Sequence, residues 1–235
     1  MYRGILPNLF TIGNLFCGFL AIHYILQDNF VSAAWLIVLG GVLDKMDGLI
    51  ARFMGKDSRF GIEFDSLVDI CTFGVAPALI FYLSYPNSGW SLIIAFVYLL
   101  CGALRLARFN ALSLDHEKGD YYLGLPIPIA AICLTQFVAF AGDTWIGGHT
   151  ARLAAPLVLL LSLIMVSRFE YDPIPNFRAS GLGGRLKQIY FLVSVTCMII
   201  PSTQGIFFIL ITIYVLSGVY RSIVGLFSDE VTQHA

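Results

Sequence analysis

Residues 31–69 read VSAAWLIVLGGVLDKMDGLIARFMGKDSRFGIEFDSLVD. An apolar run from Val31 to Leu43, interrupted only by Ser32, leads into Asp44, Lys45 and Asp47. Two further aspartates, Asp65 and Asp69, stand at the start of the next apolar run. A soluble amphipathic helix would carry its charges as a stripe along its whole length. Here they gather at one end, as in a helix that crosses a bilayer and emerges at an interface.

The rest of the chain follows the same pattern. Of 235 residues, 58% are hydrophobic and only 12% charged, about half the charge of an ordinary soluble domain. Apolar stretches recur from end to end, each near the roughly 20 residues that span a bilayer as a helix. Hydropathy and breaker residues predict eight helices, at about 5–27, 31–53, 66–85, 90–109, 123–142, 152–168, 186–201 and 204–225. The seventh is the weakest, short and closed by Pro201, and six or seven spans are the alternative. The fold class is therefore all-α, a polytopic integral membrane protein whose spans fill 1–235 as a single domain. No soluble domain fits beside them.

Five cysteines (Cys17, Cys71, Cys101, Cys133, Cys197) are scattered through apolar segments without a CxxC or Cys/His cluster, and read as small buried hydrophobes. The opening MYRGILPNLFTIGNLFCGFLAI lacks a small-residue cleavage site and carries Asn8, Thr11 and Asn14 in its apolar run, so it reads as an uncleaved first span. The four histidines (His23, His116, His149, His234) form no ligand set.

Orientation follows from the basic residues. With the N-terminus in the cytoplasm, Arg3, Lys45, Arg52, Lys56, Arg59, Arg105, Arg108, Lys118, Arg168, Arg178, Arg185, Lys187 and Arg221 all fall on or near the cytoplasmic side, and only Arg152 falls outside. That distribution satisfies the positive-inside rule. It places both termini and the aspartates at the cytoplasmic face.

On a helix of about 100° per residue, take Asp44 as the origin. Asp47 then lies at about −60°, Gly48 at about +40°, Ala51 at about −20° and Arg52 at about +80°. On the next helix Gly61, Asp65 and Asp69 share one face in the same way. Two helices joined by a short loop can aim four carboxylates at one another. Local stability opposes this. A charge at the centre of a span costs roughly 2.5–3.5 kcal/mol on insertion scales, and Asp44 and Asp47 sit near a helix C-terminus, where the dipole disfavours them.

Salt bridges would need more cations than Lys45, Arg52 and Lys56 supply. Divalent cations answer the repulsion directly: carboxylate oxygens suit Mg²⁺, Mn²⁺ or Ca²⁺, and four carboxylates suit two ions. Paired ions serve phosphoryl chemistry. Gly48, Ala51 and Gly61 either leave room for a bulky substrate or pack helices, and spacing alone leaves both readings open. Arg52 is placed to hold a phosphate bidentately.

Written out, the stretch is D-x2-D-G-x2-A-R-x8-G-x3-D-x3-D. It resembles the signature of the CDP-alcohol phosphotransferases, membrane enzymes of phospholipid synthesis, at all eight fixed positions. The resemblance implies about eight transmembrane helices around a six-helix catalytic core, and a homodimer. It implies that Asp44, Asp47, Asp65 and Asp69 bind two Mg²⁺ or Mn²⁺ ions, with Asp44 and Asp65 bridging, and that Asp69 is the general base. It also implies nucleotide contacts from Gly48, Ala51, Gly61, Arg52 and Ser58, and from Asn8 and Thr11 in PNLFT; a plain helix cap is the lesser reading of Asn8.

The flanks LPNLFTIGNLFCGFLAI, RLARFN and GLPIP resemble the phosphatidylserine synthase branch, which joins CDP-diacylglycerol to L-serine with release of CMP. Other branches, making phosphatidylglycerophosphate or phosphatidylinositol phosphate, are the alternative within the family. Serine carries its own carboxylate, so its pocket calls for a cation. Arg105 and Arg108 are the candidates, beside the plainer reading that they anchor a helix end.

Two rival classes fit less well. Intramembrane prenyltransferases also use aspartate-rich helices, but in well-separated motifs without the Gly-x2-Ala-Arg register. A cation transporter would favour broken helices near mid-membrane. Nothing in the chain suggests a nucleic-acid partner.

Overall fold

A computed structural model describes residues 5–54, 59–85, 89–114, 122–141, 150–171, 182–199 and 204–233. Among these, eight helical stretches follow one another. They are α1 (Ile5–Ile25); α2 (Phe30–Met54); a third stretch made of α3 (Arg59–Asp69), a π-helical segment (Ile70–Val75) and α4 (Ala76–Ser84); α5 (Ser91–Leu114); α6 (Ile127–Gln136), which runs into a second π-helical segment (Phe137–Ala141); α7 (Thr150–Val166); α8 (Leu182–Ile199); and α9 (Gln204–Gln233). The only strands among the described residues are β1 (Tyr122–Leu123) and β2 (Glu170–Tyr171), antiparallel with Tyr122 opposite Tyr171.

Among the described residues, four stretches are long and apolar enough to cross a membrane: Asn8–Ile25, Phe60–Ser84, Ser91–Leu112 and Gly205–Ser222. Ile127–Phe140 and Arg152–Val166 are shorter apolar helices. The helical architecture expected from hydropathy is present, with several apolar helices of the kind a multi-pass membrane protein carries. Several helices outrun their predicted ends: the third stretch begins at Arg59, α5 continues to Leu114 and α9 to Gln233. Hydropathy marks where apolar side chains stop, whereas the i→i−4 hydrogen bonds of a helix continue through polar turns beyond them.

Local chemistry explains the joints. Asp28 adopts the left-handed conformation at φ 58° and ends α1, with Asp28 N–H donating to Ile25 O at 3.0 Å and Asn29 N–H to Tyr24 O at 3.0 Å. Asn29 then caps α2, its Oδ1 accepting from Ser32 N–H at 3.1 Å. Pro77 has no N–H to offer the Phe73 carbonyl one turn back, and the Tyr98 hydroxyl of α5 donates to that carbonyl at 3.1 Å.

Helices of the membrane interior gain little from burying apolar surface against one another, so they associate through close packing of small residues. α1 and α2 pack along each other more extensively than any other pair of elements. Ala21, Ala33, Ala34 and Ala76 are fully buried in this region and beside it. The core continues through Ile37, Phe73, Ile80, Leu134, Leu161 and Met165, while Phe16, Phe19, Leu104, Leu163, Leu192 and Leu216 lie on the outside of the bundle. An apolar exterior suits contact with lipid.

Near the end of α5, a bracket of backbone and side chain ties α5, α7 and α9 together. Gly124, at φ +77°, lets the chain approach the end of α7, and its N–H donates to Phe169 O just beyond that helix at 2.8 Å. Tyr171 of β2 reaches α9, its hydroxyl donating to Val215 O at 2.8 Å, and its ring occupies the space that a side chain at Gly218 would take.

Candidate metal and phosphoryl-transfer site

The two acidic helices meet as their spacing predicts. Asp44 and Asp47 come from the far half of α2 and Asp65 from α3, and each offers a carboxylate oxygen such that all three lie within 4.8 Å of one another. Asp69, one turn after Asp65, is 6% exposed, as is Asp47. Asp69 lies within Coulombic range of Asp44, Asp47 and Asp65. Four anionic groups so close and so sheltered from water repel one another strongly unless a cation lies among them.

The first helix supplies two hydrogen bonds to this cluster. The Thr11 hydroxyl donates to Asp47 Oδ2 at 2.9 Å, and Asn14 Nδ2 donates to Asp69 Oδ1 at 3.3 Å. Thr11 and Asn14 are i, i+3 neighbours, which a helix sets on one face. Asn8 is half-buried one turn before Thr11. Thr11 is thus a partner of an aspartate here, which its sequence role as a nucleotide contact did not foresee.

Small residues govern how α1 reaches the cluster. Thr72, in the π-helical segment just after Asp69, donates its hydroxyl to the backbone O of Asn14 at 3.1 Å. A Cβ at Gly18 would collide with Thr72, and one at Gly40 would lie 2.8 Å from Asn14 Oδ1 and 2.9 Å from Thr72 Cγ2. Glycine at both positions lets three backbones converge at Asp69. On the groove side, a Cβ at Gly48 would meet nothing within 4 Å, and Gly61 is half-buried in the first turn of α3. The side chains of Ala51 and Arg52, and the whole of Ser58, lie outside the described residues.

From α5, Asn110 Nδ2 donates to Ser66 Oγ at 2.9 Å, fixing that helix against α3 between Asp65 and Asp69. The two candidate arginines of α5 part company. Arg105 is buried, its guanidinium carbon stands 5.7 Å from the centre of the Phe109 ring, and its charge acts on Asp44 and Asp69. Arg108 instead donates to four backbone carbonyls: Val166 at 2.7 Å, Ser167 at 2.9 Å, Leu123 at 3.1 Å and Met165 at 3.4 Å. It caps the C-terminal end of α7 and holds the bracket.

The donor set fits a hard divalent cation. All its atoms are carboxylate oxygens, and Asp65 Oδ1 is buried without a hydrogen bond among the described residues. An orphaned anionic oxygen beside two other carboxylates is costly and is what cation ligation resolves.

The sequence pattern of the CDP-alcohol phosphatidyltransferases matches residues 4–166. The chain belongs to the CDP-alcohol phosphatidyltransferase family. The matched part runs through α7 and includes all four aspartates; α8 and α9 lie beyond it. Among curated relatives, a CDP-diacylglycerol–serine O-phosphatidyltransferase of Helicobacter pylori is 39% identical over 73% of this chain and 72% of its own length. The protein of that name from Bacillus subtilis is 37% identical over 75% of this chain and 95% of its own length. One from the archaeon Methanocaldococcus jannaschii is 35% identical over 92% of each chain. This last likeness extends over most of the protein.

Proposed function

We infer that the protein transfers the phosphatidyl group of CDP-diacylglycerol to the hydroxyl of L-serine, giving phosphatidylserine and CMP. The observation that carries this reading is the convergence of Asp44, Asp47 and Asp65 within 4.8 Å in a chain of this family. The serine acceptor is supported by relatives of that activity at 35–39% identity.

The reaction is a displacement at the β-phosphorus. The serine hydroxyl oxygen bonds to that phosphorus, the bond to the oxygen bridging toward the α-phosphorus breaks, and CMP departs with the bridging oxygen. Asp69 receives the serine hydroxyl proton, and its place at the end of α3, facing α1, holds the acceptor in line. Asp44, Asp47, Asp65 and Asp69 would hold two divalent cations, Mg²⁺ or Mn²⁺. When bound, such ions neutralise the pyrophosphate and stabilise the charge that develops on the attacking and leaving oxygens.

Gly48, Ala51 and Gly61 give the cytidine nucleotide room along the groove, and Arg52, Ser58, Asn8 and Thr11 bind it. Arg105 meets the serine carboxylate; a buried guanidinium beside the acidic cluster is suited to hold an anionic acceptor next to the reacting phosphate. Arg108 is already committed to backbone carbonyls, so we assign it the bracket.

We place the aspartates at the cytoplasmic face of the cell membrane, where the basic residues concentrate, treat 1–235 as one domain with the first six helical stretches as the catalytic core, and expect a homodimer. The test is CMP release from CDP-diacylglycerol by purified protein with Mn²⁺ or Mg²⁺, offered serine, glycerol 3-phosphate or inositol phosphate singly. Serine alone should support release. Release only with another alcohol overturns the acceptor assignment, and release with none overturns the activity.

A further inference from the structure

Asn14 is fully buried in a helix of the membrane interior, and its side chain is only half satisfied. Nδ2 donates to Asp69 Oδ1 at 3.3 Å, while Oδ1 is buried and accepts no hydrogen bond among the described residues. An orphaned buried acceptor costs about 1–3 kcal/mol, and an apolar side chain of similar size would avoid that cost. The fold nonetheless makes space for this amide: Gly40 leaves the room that Oδ1 occupies, and Thr72 Oγ1 grips the Asn14 carbonyl at 3.1 Å. Local stability is given up to keep one N–H pointed at one carboxylate, a pattern that marks functional positions.

We propose that Asn14, held by Thr72, is a positioning residue that fixes the rotation of the Asp69 carboxylate. Its amide occupies Oδ1 from the α1 side, so that the other oxygen faces the cluster formed by Asp44, Asp47 and Asp65. The amide orientation is forced, because turning it over would set its oxygen against an anion. Thr72 acts one step further out: it fixes the backbone of α1 where the amide departs. The proposal rests on the reading of Asp69 given above. It adds a residue from another helix that no signature of the acidic stretch contains.

The test uses the full-length protein in detergent, with Asn14→Leu, Thr72→Val, Thr72→Ser and Asp69→Asn. Asn14→Leu should fold at least as well as wild type by thermal melting without metal. It should bind Mn²⁺ more weakly by electron paramagnetic resonance of the free ion, without substrate, and lower kcat about 10–100-fold, the usual effect of losing a partner behind a metal ligand. Thr72→Val should show the same changes in smaller measure, and Thr72→Ser should restore them. In an Asp69→Asn background, Asn14→Leu should not weaken Mn²⁺ binding further.

Wild-type Mn²⁺ affinity and kcat in Asn14→Leu, with Asp69→Asn inactive, overturn the positioning role and leave the reading of Asp69 standing. An active Asp69→Asn overturns that reading itself. A loss of folded protein that lowers the apparent kcat but leaves the Mn²⁺ affinity of the folded fraction unchanged reduces Asn14 to a packing residue and overturns the proposal.

Discussion

The hydroxyl of Thr11 donates to Asp47 Oδ2 across 2.9 Å, between residues 36 positions apart in the chain. It joins the first helix to the acidic end of the second at a place where neither side chain has water to turn to. Replacing Thr11 with Val keeps the shape and removes the donor. We expect a 10–100-fold fall in kcat/KM with Mn²⁺, folding retained, and recovery in Thr11→Ser; steady-state kinetics beside a melting curve decide it.

Asp65 Oδ1 has no hydrogen bond among the described residues, so its energy depends on a cation. Asp65→Asn should remove at least about 100-fold of the activity, since it withdraws one of the charges that balance the ions. Its protein should melt no lower than wild type in EDTA, because mutual repulsion falls. With Mn²⁺ added, wild type should gain more melting temperature than the variant, because binding to the native state raises its stability.

The arginines of α5 should fail in different ways. Arg105→Gln should raise the KM for serine far more than that for CDP-diacylglycerol, with little loss of folded protein. Arg108→Gln leaves up to four carbonyls without their donor, at about 1–3 kcal/mol for each one left buried and unpaired. It should lower the melting temperature and the yield, and shift no individual KM. A measured KM for both substrates, paired with a thermal melt, separates the two.

Gly40→Ala places a methyl group 2.8 Å from Asn14 Oδ1. Overpacking of this kind costs about 1–3 kcal/mol, and here it pushes on the amide that faces Asp69. Stability and turnover should fall together. Gly48→Ala, where a Cβ meets nothing within 4 Å, should melt as wild type does while raising the KM for CDP-diacylglycerol.

The acidic cluster was legible because its spacing is local. Asp44 and Asp47 are three residues apart, Asp65 and Asp69 four, and helical geometry alone puts each pair on one face. The apolar runs likewise announced the helices. What could not be read was set by distant packing. Arg105 and Arg108 lie one turn apart on one helix, and their separate roles follow from what packs against α5: the end of α7 and Gly124 for one, the aspartates for the other. Asn14 stood in a visible polar stripe with Asn8 and Thr11, but its partner lies 55 residues away and is reached only because Gly18 and Gly40 let the helices close up. The π-helical segment after Asp69 left no periodicity to follow, since a single wide turn disturbs the apolar pattern too little to be seen.

On the reading proposed above, this acidic groove moves a phosphatidyl group from a nucleotide to serine. The most direct measurement supplies the purified protein with CDP-diacylglycerol, Mn²⁺ and isotopically labelled L-serine, and follows lipid product and nucleotide together by mass spectrometry. Labelled phosphatidylserine and CMP should form in equal amounts, and both should be absent with EDTA. CMP formed without labelled lipid, or labelled lipid formed undiminished in EDTA, would contradict it.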